Sequence, residues 1–199
     1  MSGFEITLIR HGQTEWSRSG RHTGRTDVPL SDFGRRQAES LGTVLRPSDF
    51  SLVMSSPLSR AWETMTLAGF GEGATEYFDL LEWNYGEYEG RTTSEIRTEI
   101  PEWTVWTHPI LGGESVEDIA ERADRVIATS IEAAVPVALF AHGHILRVLA
   151  ARWMGLSPTS GSAISLDTAT VSTLGWERER RVLRTWNLVC PLPFEDSLL

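Results

Sequence analysis

Two apolar runs of strand length, each ending at a histidine that is followed by a glycine, constrain the fold of this chain most strongly. Residues 5–9 lead into His11, and residues 136–141 lead into His142. Short continuous apolar runs are typical of strands buried in a parallel sheet. In open α/β sheets, ligands bind at the edge where such strands end. We therefore predict that both histidines lie at the ligand-binding edge of a sheet.

The length and charge of the chain narrow its class. A chain of 199 residues is suited to a single domain over residues 1–199 with a sizeable core. The formal net charge of −9 argues against nucleic acid or an anionic membrane surface as the main partner. All 18 basic residues are arginine, which excludes chemistry that needs a Schiff-base or phosphate-loop lysine. Arginine instead favours planar, bidentate contacts to phosphate.

Cysteine content and targeting signals bear on where the protein works. The single cysteine, Cys190, cannot form an internal disulfide, and no Cys/His cluster has the spacing of a zinc site. The N-terminus shows no basic region followed by a long apolar run, and no apolar stretch has the length of a membrane span. The sequence therefore predicts a cytoplasmic, soluble protein without a metal site.

The periodicity of apolar residues predicts alternating helices and strands along the rest of the chain. Ser31, Ser56 and Ser115 each precede a helical pattern, and serine commonly caps helix N-termini. Pro57 would occupy the first position of the second of these helices. Another helix follows His142. Further strands are predicted at residues 52–54, 77–81, 168–176 and 181–187, the last two as a closing hairpin.

Residues 92–113 are the least regular part of the sequence. They contain Trp103 and Trp106, two prolines and the pair Gly112-Gly113. This composition predicts a short helix followed by a loop. Two interpretations of the tryptophans stay open, a cover over the site and anchors in the core, and we favour packing.

Four blocks of the sequence carry candidate catalytic residues. Residues 8–14 read Leu-Ile-Arg-His-Gly-Gln-Thr, and residues 56–64 read Ser-Pro-Leu-Ser-Arg-Ala-Trp-Glu-Thr. Residues 80–90 follow the pattern Leu-x-Glu-x-x-x-Gly-x-x-Glu-Gly, and residues 141–144 read Ala-His-Gly-His. In this order and combination, the blocks resemble the histidine phosphatase (phosphoglycerate mutase-like) superfamily.

The resemblance implies a fold and a catalytic set. The implied fold is a three-layer α/β/α sandwich around a mostly parallel, six-stranded sheet. His11 is then the nucleophile that takes up a phosphoryl group, and Glu82 is the general acid that protonates the leaving alcohol. Arg10, Arg60 and His142 would grip the phosphate oxygens. Neighbouring arginines would keep His11 neutral, and aromatic neighbours would keep Glu82 protonated near neutral pH.

The same resemblance implies a set of substrate contacts but no cofactor and no metal. Ser17 stands where many members have an asparagine, and its shorter side chain makes a phosphate contact less certain. Glu87 and Glu89 are interpreted as surface residues. The implied contacts are Gln13, Ser17, Thr23, Gly24, Tyr85, Gly143 and His144.

The family contains both phosphatases and mutases. A mutase needs additional basic residues and a longer cover to hold its bisphosphate intermediate. Residues 97–122, however, carry no basic residue besides Arg97, His108 and Arg122. We therefore predict a metal-independent phosphatase that acts on small phosphorylated metabolites, such as sugar phosphates or bisphosphates, or a broad acid phosphatase.

Other functions are weighed against this one. A cofactor-dependent phosphoglycerate mutase is the main alternative. A catalytically silent binding protein is less favoured, because the chain keeps every catalytic residue that the resemblance implies. The sequence leaves a homodimer open as a further partner.

Overall fold

A computed structural model describes residues 3–192 of the protein. Within this range, six strands form one sheet in the spatial order third, second, fourth, first, fifth and sixth. The first four strands run parallel, and the last two are antiparallel to their neighbours. This confirms the mostly parallel, six-stranded sheet. In chain order the strands are β1 (Ile6–Arg10), β2 (Leu52–Ser55), β3 (Thr75–Glu76), β4 (Val137–Ala141), β5 (Thr170–Glu177) and β6 (Arg180–Val189).

Helices cover both faces of this sheet. In chain order, the helices of the described residues are α1 (Glu15–Ser19), α2 (Asp32–Leu41), α3 (Ser59–Leu67), α4 (Thr93–Arg97), α5 (Val116–Ala133) and α6 (Gly143–Trp153). Successive side chains of a strand point to opposite faces, so β1 and β4 contribute to two separate apolar clusters. The first cluster contains Ile6, Leu8, Val137 and Leu139 with Val126 and Leu146. The second contains Ile9, Ala138 and Phe140 with Leu41 and Met65. The three-layer α/β/α sandwich is thereby confirmed, with α5 and α6 on one face and α2 and α3 on the other.

Two of the three predicted serine caps are confirmed, and one prediction is wrong. Ser31 accepts from the amide of Gly34, and Ser115 forms a capping box that opens α5. By contrast, α3 begins at Ser59 and not at Pro57. Leu58 is still extended, with ψ at 135°. Ser56 does not cap the helix; it is buried, and its hydroxyl forms a hydrogen bond with a histidine of the site.

The predicted strand at residues 77–81 is also wrong. β3 ends at Glu76, and residues 78–80 form a 3₁₀ turn. The carbonyls of Asp79 and Leu81 accept hydrogen bonds from Arg122, so they are unavailable to a neighbouring strand. A short apolar run cannot reveal such a partner in advance.

The remaining predicted elements are present. β5 and β6 form the closing hairpin, and α4 is the short helix expected within residues 92–113. The side chain of Trp103 is 1% exposed, which favours the packing interpretation. The sequence predicts a loosely held tail over residues 191–199, of which residues 193–199 lie outside the described residues. Among the described helices, none combines the length and the apolar character needed to span a bilayer.

Candidate active site

Parallel pairing of β1 with β4 brings the two predicted histidines together. Arg10 pairs with Ala141 in the sheet, and the amide of His11 donates to the Ala141 carbonyl at 3.0 Å. The rings of His11 and His142 consequently lie with their centroids 5.1 Å apart. The prediction that both stand at one edge of the sheet is confirmed.

The imidazole of His11 is oriented by its own backbone. Its Nδ1 atom lies 2.7 Å from the carbonyl oxygen of Gly12, and because a carbonyl only accepts, Nδ1 carries the proton. The lone pair therefore resides on Nε2. Burial, together with the charges of Arg60 and Arg10, lowers the pKa of His11 well below its usual 6.5. His11 is thus a neutral imidazole with an available nucleophilic nitrogen.

Gly12 is required by the packing around this histidine. A Cβ atom at residue 12 would overlap the backbone carbonyl of Gly34 in α2. The Gly12 amide also donates to the Thr64 hydroxyl of α3 at 3.0 Å. The backbone of β1 is thereby pinned to two helices directly beside His11.

His142 has both ring nitrogens engaged within the protein. Nδ1 accepts from Arg60 Nε at 3.1 Å, so Nε2 carries the proton and donates to the Ser56 hydroxyl at 2.7 Å. Burial, followed by the charge of Arg60, lowers the pKa of His142 well below 6.5. In this arrangement His142 is neutral, and its N–H points at Ser56, whereas the resemblance implies a contact with phosphate.

The guanidinium of Arg60 is fully buried and is directed at a loop. Besides His142, it donates to the carbonyls of Thr23, Gly24 and Thr26 at 2.9–3.2 Å. Its donors therefore hold residues 23–26 in place, and no phosphate contact is needed to satisfy them. Its positive charge still lies close enough to lower the pKa of His11.

Arg10, in contrast, has an unused donor. Its Nη1 atom donates to the Leu166 carbonyl, but its Nε atom is buried without a hydrogen-bond partner. A buried N–H without an acceptor is costly unless a ligand supplies one. The guanidinium packs directly against Gly143, the first residue of α6. The amide of such a residue has no acceptor within its own helix.

The carboxyl of Glu82 is held by three backbone amides. It accepts from the amides of Trp83, His144 and Ile145, each at 2.9 Å. Two of these belong to the first turn of α6, where the helix dipole also favours negative charge. The direct hydrogen-bond partners of Glu82 are therefore backbone amides, and the expectation that aromatic neighbours keep the acid protonated stays a prediction.

Arg10, His11 and Glu82 line one cavity of about 180 Å³. The predicted site residues that line it are Arg10, His11, Ser17, Thr23, Glu82, Tyr85, Gly143 and His144. Five lining residues were not predicted, and three of them carry polar side chains, namely Arg21, His22 and Arg147; the other two are Gly20 and Leu166. Arg21 and His22 lie in the polar loop after α1, and Arg147 follows the His-Gly-His motif by one helical turn, so their proximity to motifs was the available signal.

Four predicted site residues do not line the cavity. Arg60 and His142 lie behind it, and Gln13 bonds Gln37 through its amide and Ser31 through its side chain. The amide of Gly24 donates to the carboxylate of Glu89 at 2.7 Å.

The side chains of Glu89 and Ser17 both form hydrogen bonds with the backbone. Glu89, interpreted as a surface residue, is half-buried, and its Oε1 atom accepts hydrogen bonds from the amides of both Gly24 and Thr26. The Ser17 hydroxyl accepts from the Thr14 amide and donates to the Thr14 carbonyl, which completes the capping box of α1. It faces the cavity with its donor already used.

A cluster of aromatic side chains forms one wall of the cavity. The Tyr85 hydroxyl lies 2.6 Å from Nδ1 of His144, and burial raises the pKa of Tyr85 well above 10, so the phenol is neutral. His22 packs against Tyr85 and Trp103 with centroids 4.8 and 5.2 Å away. Burial lowers the pKa of His22 to about 4. This wall is uncharged at neutral pH.

Comparison with known proteins decides the family. Residues 6–189 match the profile of the histidine phosphatase superfamily, branch 1. The chain belongs to this superfamily. It is 41% identical over 188 residues to an acid phosphatase of Mycobacterium tuberculosis, and the match covers 92% of both chains.

Two further similarities support this placement within the histidine phosphatases. A sedoheptulose 1,7-bisphosphatase of Saccharomyces cerevisiae is 35% identical over 182 residues, covering 75% of this chain and 67% of the relative. The solved structure of an open reading frame product from Mycobacterium tuberculosis superposes with a TM-score of 0.90 at 39% identity, covering 94% of this chain and 99% of that one. The predicted family is confirmed. Among residues 3–192, no three His, Cys, Asp or Glu side chains cluster in a way that could hold a metal ion.

Proposed function

We propose that this histidine phosphatase hydrolyses phosphomonoesters of small metabolites through a phosphohistidine on His11. One observation carries the proposal: a neutral imidazole with its lone pair on Nε2 stands beside a buried, unpartnered Arg10 Nε in one cavity. A phosphoryl oxygen would satisfy that donor, and the amide of Gly143 supplies a second one at the same place. The nucleophile and the anion-binding donors are thus prepared before a substrate arrives.

In the first step, Nε2 of His11 attacks the phosphorus atom, and the bond between phosphorus and the ester oxygen breaks. Glu82 gives its proton to the leaving alcohol. Three backbone amides hold its carboxyl in place for this transfer. In the second step, Glu82 takes a proton from water, which attacks the phosphohistidine and releases phosphate and neutral His11.

The supporting residues act through charge and position. Arg60 stands behind the cavity, where it holds the loop of residues 23–26 and would stabilise the transferred charge at a distance. His142 would act through Arg60, whose Nε it accepts from. Ser17, Thr23, Tyr85 and His144 border the space where the alcohol part of a substrate would lie. Gln13 and Gly24 support the walls and make no contact with substrate.

Phosphatase activity fits the site better than mutase activity. The basic residues of segment 97–122, the predicted cover, have partners within the protein. Arg97 donates to the Trp103 carbonyl, His108 accepts from the Thr104 amide, and Arg122 is buried against a carboxylate. Arg21 and Arg147 do line the cavity, but both donate to nearby carbonyls. The basic side chains of residues 97–122 are therefore all engaged, and none is left to bind the second phosphate of a bisphosphate intermediate.

The proposal is tested by measuring phosphate release from aryl phosphate, sugar mono- and bisphosphates and 3-phosphoglycerate, in the presence of a chelator. We expect release from at least one sugar phosphate, loss of release in His11→Ala, and an acid-labile, alkali-stable phosphoenzyme in rapidly quenched wild type. Isomerisation of 3-phosphoglycerate with little release would assign the mutase. Silence on every substrate would favour a binding role. A cytoplasmic location, a single domain over 1–199 and a homodimer stay predictions.

A further inference from the structure

A buried ion pair outside the cavity contacts the segment that carries Glu82. Residues 81–85 form neither helix nor strand, so regular secondary structure does not fix the backbone that carries Glu82. The ion pair joins Arg122 on α5 to Glu114 in the preceding loop. Their side chains are 9% and 17% exposed, so solvent screens this pair far less than a surface pair.

Arg122 binds the backbone on the N-terminal side of Glu82. Its Nη1 atom donates to the carbonyls of Asp79 and Leu81 at 2.8 and 2.7 Å. Its Nη2 atom lies 3.4 Å from the carbonyl of Glu82 itself. A single guanidinium on a helix of 18 residues therefore fixes three carbonyls in a four-residue stretch.

Glu114 binds the same segment on the C-terminal side of Glu82. Its carboxylate accepts from Arg122 at 2.7 and 2.9 Å, and its Oε2 atom accepts from the Asn84 amide at 2.8 Å. Its backbone carbonyl accepts from the indole N–H of Trp83 at 2.9 Å. The same carboxylate lies 3.4 Å from Arg25, which belongs to the loop of residues 23–26 that Arg60 holds.

Burying a charged pair is costly, and the position of this one gives a reason to keep it. We propose that Glu114 and Arg122 are positioning residues that aim the Glu82 carboxyl at the leaving oxygen of the substrate. The inference rests on the proposed role of Glu82 as general acid. Neither side chain touches the cavity, so both act on the reaction through the backbone of residues 79–84.

The inference has a chemical signature that a merely structural role would lack. A poor leaving group, such as an alkyl alcohol, needs the proton of Glu82, whereas 4-nitrophenolate leaves without it. A displaced acid therefore slows hydrolysis of glycerol phosphate more than hydrolysis of 4-nitrophenyl phosphate. The quantity to measure is the ratio of kcat/KM for the aryl ester to that for the alkyl ester.

The variants are Arg122→Lys and Glu114→Gln, with Glu82→Gln as the reference for complete loss of the acid. The matched control is Arg125→Gln, because Arg125 lies one turn later on α5 and forms a bidentate pair with the Asp79 carboxylate at the surface. We expect the aryl-to-alkyl ratio to rise by about tenfold or more in both positioning variants, in the direction of Glu82→Gln. The Arg125→Gln ratio should stay near that of wild type.

Equal losses on both esters, or an unchanged ratio in either folded variant, would overturn the inference. Circular dichroism and thermal melting establish which variants are folded, and if Arg122→Lys is not, Glu114→Gln decides. Loss of folding in both would also count against it, because the pair would then support the whole fold. Failure of the proposed function itself is distinct, since wild type would then show no His11-dependent release from either ester.

Discussion

The Nε atom of Arg60 lies 3.1 Å from Nδ1 of His142, and both side chains are fully buried. Because a guanidinium only donates, this contact places the proton of His142 on Nε2, where the Ser56 hydroxyl receives it. The other donors of Arg60 hold the carbonyls of residues 23–26. One side chain thus sets both the tautomer of a histidine and the position of a cavity wall.

Replacing Arg60 by lysine keeps the positive charge but removes the planar guanidinium, so it tests which of the two the site needs. An ammonium on a flexible stem cannot reach His142 and the loop carbonyls together. We expect kcat/KM to fall about a hundredfold. We also expect the ¹⁵N signals of the His142 ring to show a mixture of tautomers in place of the single Nε2-protonated form. The matched control is Arg152→Lys, which alters a partly exposed pair with Asp124. Wild-type activity and tautomer in Arg60→Lys would contradict the assignment.

The buried histidines should make stability fall in acid. Burial lowers the pKa of His22 to about 4, whereas the unfolded chain binds that proton near 6.5. Its contribution to the free energy of unfolding is therefore complete above pH 6.5 and is lost as pH falls toward 4. Urea denaturation at pH values from 4.5 to 7.5 gives the free energy of unfolding as a function of pH. Below pH 6.5, this free energy should rise with pH less steeply in His22→Phe than in wild type, by about 1.4 kcal/mol per pH unit. Identical slopes would refute the burial argument.

Catalysis should persist at acidic pH. Protonation of His11 at Nε2 would block its attack, but burial and two arginines lower its pKa well below 6.5. We expect the acid limb of kcat/KM that belongs to His11 to lie well below pH 6.5. The second ionisation of the substrate phosphate, near pH 6, adds a limb of its own, so NMR titration of the labelled His11 ring is the deciding measurement. A ring that protonates with a midpoint near 6.5 would contradict this expectation.

Gly12 should not tolerate alanine. The added methyl group would overlap the Gly34 carbonyl, and because both groups are backbone, the end of β1 must shift. We expect the free energy of unfolding to drop by about 2 kcal/mol and kcat/KM to drop about a hundredfold. Gly71→Ala is the control, since its new Cβ would meet only a Thr66 methyl at 3.8 Å. Similar effects in both variants would show that packing beside His11 is not the cause.

Much of the sheet edge could be predicted from the sequence because its determinants are local. The apolar runs that become β1 and β4 each carry their histidine at the end, and parallel pairing aligns those ends without further information. The serine caps of α2 and α5 could be predicted from the sequence for the same reason. In each case the signal and the structure it produces lie within a few residues of each other.

The contacts that finish the site could not be predicted, because their acceptors are backbone atoms. Arg122 recognises carbonyls about forty residues upstream, and any residue type supplies a carbonyl. Glu89 likewise holds the amides of Gly24 and Thr26. The 3₁₀ turn at residues 78–80 and the late start of α3 follow from such long-range partners, which composition and periodicity do not encode.

α6 has no capping side chain of its own. His142 occupies the N-cap position without a side-chain hydrogen bond, and the oxygens of Glu82 accept the amides of His144 and Ile145 instead. The carboxyl proposed as the general acid is therefore also the anchor of a helix that ends at Trp153. A substitution that removes both oxygens of this side chain would therefore loosen the start of that helix as well as remove the acid. A descendant that abandoned hydrolysis would be under pressure to keep an oxygen-bearing side chain here for its architecture alone.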